Sequence, residues 1–69
     1  MKEIKNIVKS VPRSSAVSNP VFRETEEGKV LIRTNSQGFA IRVIEALRSN
    51  GYEANFASQY YGENSVLVG

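Results

Sequence analysis

A chain of 69 residues makes one domain at most, and at this size only about 60% of the unfolded surface is buried, so the core is marginal. Histidine, cysteine, tryptophan and aspartate are all absent, which removes the usual general base, the usual thiol nucleophile, disulfides and most transition-metal ligands. The net charge of +2 is too small to name a partner by itself.

Seven glutamates, nine Lys/Arg and three tyrosines remain for chemistry. No spacing among them assembles a catalytic constellation, so the expectation is a non-enzymatic protein with no cofactor and no metal. A paired-carboxylate hydrolase would also need a substrate cleft that so short a chain hardly provides. The charge is uneven along the chain. Lys2, Lys5, Lys9 and Arg13 face only Glu3 within residues 1–13, a net +3, whereas five cations meet six glutamates in the rest, a net −1. The positive charge therefore belongs to the N-terminal arm. Lys2, Glu3, Lys5, Asn6 and Lys9 interrupt any secretory h-region, and no apolar run approaches the roughly 20 residues that span a bilayer. The expected location is cytoplasmic, with no membrane partner.

Residues 1–11, MKEIKNIVKSV, set Met1, Ile4, Val8 and Val11 on one helical stripe, with Ile7 beside it and the lysines opposite. That is a short amphipathic helix or arm, too short to persist alone and stopped by Pro12. Residues 12–20, PRSSAVSNP, read as a linker, and residues 21–69 as a small α+β domain. Within it, VFRET and KVLIRT flank Glu26-Glu27-Gly28 as a β-hairpin. Two registers are open: Phe22 opposite Leu31 with Val21 opposite Ile32, or Phe22 opposite Ile32. The choice decides which face is buried.

The clearest helix spans residues 35–50. Asn35 or Ser36 caps it, and Ala40, Val43, Ile44 and Leu47 form its buried stripe, with Phe39 and Ala46 at the margins. Arg42, Glu45, Arg48 and Ser49 lie opposite, and Asn50-Gly51 closes it. Gly38 in the first turn is unexpected, since glycine costs about 1 kcal/mol against alanine in a helix interior. Residues 52–58 alternate as a half-buried strand, QYYGEN is a turn, and SVLVG is a last strand with apolar groups on both faces, as in a central or covered strand. The fold class is α+β: a two-layer sandwich, its small, mostly antiparallel sheet in ββαββ order packed by one main helix.

Four sets of residues are candidates for binding. The basic arm, Lys2, Lys5, Lys9 and Arg13, suits a phosphate backbone or an acidic protein. Val66 and Val68 of the last strand suit addition to a partner sheet. Tyr60 and Tyr61, with Phe56, Arg23 and Arg33, are the materials of a stacking platform for single-stranded nucleic acid, joined by Arg42 and Arg48 on the exposed helix face. Adjacent tyrosines in an extended strand point to opposite faces, so at most one joins Phe56. Ser36 and Gln37, with Arg33, lie where a helix start attracts anions. Glu24 and Glu53 are placed to pair with Lys29 or Arg33 across the sheet.

The leading expectation is a protein-interaction or regulatory module, such as a small accessory protein of a phage or mobile element, bound to a protein partner or to itself as a homodimer. The alternative is a nucleic-acid-binding domain using the arm and the helix arginines.

Overall fold

The computed structural model describes residues 2–69. Met1, which the spacing sets on the apolar stripe, lies outside the described residues. The first helix, α1, spans Lys2–Ser10, with Glu3 in its first turn and Lys9 in its last, the charge order that the helix dipole favours. It is docked: Ile4 and Val8, one turn apart, are buried and α1 packs on the main helix. Hydrogen bonding toward the Glu3 carboxylate, followed by desolvation and the nearby negative charge, holds the Tyr52 pKa above its ordinary value.

The segment 12–20 has no helix or strand, yet it is fastened at several points. Val17 joins the core. The Arg13 guanidinium donates to the Val17 carbonyl at 2.9 Å and to Asn19. Asn35 and Ser18 exchange two bonds, Ser18 N–H to Asn35 Oδ1 at 3.1 Å and Asn35 Nδ2 to Ser18 Oγ at 3.0 Å. Asn35 is thereby spent on the linker, and Ser36 caps the main helix instead, its Oγ accepting from the Phe39 N–H at 3.2 Å.

Strand β1 (Val21–Glu24) pairs antiparallel with β2 (Val30–Arg33), and Phe22 lies opposite Ile32. This is the second of the two registers, and it turns both residues toward the core. Gly28, at φ +79, closes the turn, its N–H donating to the Thr25 carbonyl at 3.0 Å; a side chain is strained in that conformation.

The main helix, α2, spans Gln37–Ser49. Phe39, expected at the margin, is fully in the core with Ala40, Val43 and Leu47. Gly51, at φ +88, ends the helix, donating to the Arg48 carbonyl while Tyr52 N–H returns to Leu47.

Strand β3 is only Ala54–Phe56. The expected strand over 52–58 is cut short because Ser58 opens a one-turn helix, α3 (Ser58–Tyr61), where a turn was expected. Strand β4 is Ser65–Val68.

The sheet order is β1-β2-β4-β3 and every neighbouring pair is antiparallel. The last strand is thus inserted between β2 and β3, which run parallel to each other with α2 as their crossover. Val30, Ile32, Ala54, Val66 and Val68 meet α1, α2 and the linker in one core. No helix among the described residues is long and apolar enough to cross a membrane.

Candidate functional site

Alternation along the strands sorts the side chains onto two faces. The helix-facing set is the core just described. The other face carries Val21 and Arg23 from β1, Leu31 and Arg33 from β2, Leu67 from β4 and Asn55 from β3. Lys29 shares it, two residues before Leu31, where the hairpin ladder continues through Thr25 N–H to the Lys29 carbonyl at 2.8 Å. Helices α1 and α2 lie on the far side, so this face is open except at one end. There α3 folds over: Ser65, fully buried, donates its hydroxyl to the Tyr61 carbonyl at 3.0 Å.

The register fixes how the charges are spaced. Arg23 is directly opposite Leu31, and Val21 is opposite Arg33. Arg23 therefore has Arg33 and Lys29 as its two diagonal neighbours, about 7–8 Å away at the backbone. Three cations surround Leu31, which is only 5% exposed although no long helix covers it; long basic side chains shelter apolar neighbours with their stems while the charged heads stay in water. Like charges about 8 Å apart repel by about 0.5 kcal/mol per pair in water. The sheet tolerates that, and a bound polyanion reverses its sign.

Glu24 and Glu53, expected to pair with Lys29 or Arg33 across the sheet, do not lie beside this cluster. Glu24 lies on the helix-facing side of β1, opposite Val30, with the sheet between it and Lys29 or Arg33. Glu53 shares the open face beyond β3, where its carbonyl accepts from Gly69 N–H at 2.9 Å, with β4 separating it from β2.

Of the proposed nucleic-acid residues, the fold brings Arg33 to α3. A side chain added at Gly62 would begin 3.8 Å from an Arg33 guanidinium nitrogen. Tyr60 and Tyr61 are helical rather than extended, so the rule of opposite faces does not govern them, and both are exposed, Tyr60 at 78%. Phe56 is on the helix-facing side and leaves this group. Arg42 and Arg48 are on α2, in the other layer. Arg48 is committed: its Nε donates to the Ala54 carbonyl at 2.9 Å and its Nη2 to Asn55 Oδ1 at 2.7 Å.

The arm residues are likewise on the helix side. Lys5 Nζ lies 5.6 Å from the centre of the Phe22 ring. Lys9 and Arg13 line a cavity of about 280 Å³ with Phe22 and Pro20 at the outer edge of β1. Lys2 is exposed on α1. Val66 and Val68 offer no edge to a partner, because they are buried and β4 is paired on both sides.

The anion candidates are separated too. Ser36 Oγ is occupied as a cap, Gln37 lines a cavity of about 510 Å³ together with Glu63, and Arg33 belongs to the open face. A carboxylate beside Gln37 disfavours an anion there. Among the described residues no group of three or more His, Cys, Asp or Glu is placed to hold a metal.

Lys29 is the residue that sequence reasoning did not assign to a site. Its signal was the spacing Lys29, Leu31, Arg33, which sets two cations on one strand face. Comparison with protein-family models, with curated proteins and with solved structures finds no match to this chain.

Proposed function

We propose that this protein is a non-catalytic binding module whose open sheet face takes the phosphodiester backbone of a nucleic acid. The single observation behind this reading is the diagonal cluster of Arg23, Lys29 and Arg33 on the face that the helices leave uncovered. Such contacts give weak, sequence-independent binding that is sensitive to salt. Three phosphate contacts correspond to a slope of about −2 to −3 in log affinity against log salt.

The test is anisotropy of a labelled mixed-sequence oligonucleotide, titrated first at low and then at rising ionic strength. Changing Arg23→Gln together with Arg33→Gln keeps much of the stems and removes two charges; binding falls and the salt slope flattens by about two. Arg42→Gln, in the other layer, leaves binding unchanged. Absence of binding at low ionic strength, or equal losses from all these changes, defeats the proposal.

A second reading, contact with a protein, is favoured by Ile41 and Phe56. Each is 43% exposed, and both line a groove of about 310 Å³ with Ile44 beside the outer edge of β3. The partner of choice is a second copy. Two-fold pairing about Phe56 sets the two rings against each other and leaves the Arg48–Ala54 bond in place. Sedimentation that reports one unassociating species up to millimolar concentration removes this reading.

A further inference from the structure

Resting on the nucleic-acid reading, we infer that the ligand is single-stranded, and that Tyr60 and Tyr61 on α3 stack against its bases while the cation cluster holds its phosphates. The two features are contiguous. Helix α3 lies over the Ser65 end of the open face, anchored by the Ser65–Tyr61 bond and by Ala57 N–H donating to the Ser65 carbonyl at 2.8 Å. The Arg33 guanidinium reaches the end of α3 at Gly62. A backbone bound along Arg23 and Arg33 therefore runs toward α3, the helix that carries the two rings.

Among the described residues, no packing role accounts for the exposure of these tyrosines. Tyr60 is 78% exposed and Tyr61 is 38% exposed, and neither is among the apolar groups packed against the core. Large rings are usually kept for packing, and two adjacent ones turned outward beside a cationic face match the requirements of a stacking platform. A duplex presents its bases already stacked, and its flat faces are out of reach. Only unpaired bases splay onto a side-chain ring. The cations bind either form, but the tyrosines distinguish them.

The experiment compares a labelled oligothymidylate with a blunt hairpin duplex of equal phosphate number, using the full chain and its Tyr60→Ala, Tyr61→Ala and Tyr60→Phe variants. The expected result is preference for the single strand, a loss of roughly 5- to 150-fold in that affinity for at least one alanine variant, restoration by Tyr60→Phe wherever Tyr60 matters, and unchanged duplex affinity. Circular dichroism checks that each variant is folded, and solvent-exposed Tyr60 is not needed for the core. Equal binding of both forms, or alanine variants that retain single-strand affinity, overturns the stacking inference while the backbone-binding reading stands. No binding of either form at low salt overturns both.

Discussion

Arg48 reaches from the last turn of α2 to the outer edge of β3 and donates its Nε to the Ala54 carbonyl at 2.9 Å. The neighbouring carbonyl of Glu53 and N–H of Ala57 bond inward to β4, so Ala54 and Phe56 present their backbone groups outward. An exposed strand edge is a template for pairing with another chain, and a charged side chain across it is a standard obstacle. Arg48 holds one of the few acceptors on this edge.

Arg48→Met keeps the aliphatic stem and removes the donor. The intramolecular loss is about 1 kcal/mol. The larger effect is expected in association: the uncovered edge lengthens from Phe56 to Ala54, and sedimentation at increasing concentration reports stronger self-association than for the unchanged chain. Identical sedimentation of the two would show that Arg48 does not guard the edge.

Tyr52 carries a signature of α1 docking. Its pKa is raised by the hydrogen bond to Glu3, so the neutral hydroxyl is the form the fold favours. This contribution is complete below the unfolded tyrosine value of about 10 and is lost as pH rises through the higher folded value. Ring chemical shifts of Tyr52 should titrate above the free-tyrosine range, and Glu3→Gln should move that midpoint downward. A midpoint insensitive to Glu3→Gln means that the contact is not populated in solution.

Gly38 offers a stabilising substitution. It lies within α2 and its φ is not positive. A methyl group there would meet only Arg42 Nη1 at 3.8 Å and Ser36 Oγ at 3.9 Å, both ordinary contacts. Gly38→Ala should therefore add about 0.5–1 kcal/mol of stability, which in a domain of this size raises Tm by roughly 4–8 °C per kcal/mol. Ser36→Ala should act in the opposite sense, costing about 1 kcal/mol by leaving the Phe39 N–H uncapped. Thermal melts of the two variants on opposite sides of the parent are the check.

Val8 tests whether the first helix belongs to the domain. It is 1% exposed and sits in the same core as Val43 and Leu47. Val8→Ala should cost about 2 kcal/mol through lost burial and a residual cavity, read by urea unfolding as a lower midpoint at constant slope. A midpoint unchanged from the parent would mean that α1 is dispensable.

The α+β class and the main helix were legible because their signals are local: a capping serine, a buried stripe with a 3.6-residue period and Asn50-Gly51 at the end. The apolar run Val66-Leu67-Val68 announced a central strand, and β4 is central. The site was less legible because it depends on pairing. Arg23, Lys29 and Arg33 become neighbours only when Phe22 is set opposite Ile32, and the residues around Gly28 do not decide that register. Val66 and Val68 resembled an interaction strand because the apolar run announces that the strand is covered but not that β2 and β3, rather than a partner, cover it. Phe56 and Tyr60 looked like one aromatic group, but Ser58 turns the chain into α3, so Tyr60 no longer follows the strand alternation that sets Phe56 on the helix-facing side.

The position of β4 also governs how the molecule assembles. The β1–β2 hairpin can close early, but β3 has no strand partner until residues 65–68 arrive between it and β2. Sequence-distant pairing of this kind delays the gain in contacts until loop-closure entropy has been met. Pairing of β3 therefore waits on residues 65–68, and the outer half of the sheet closes only when that strand is in place.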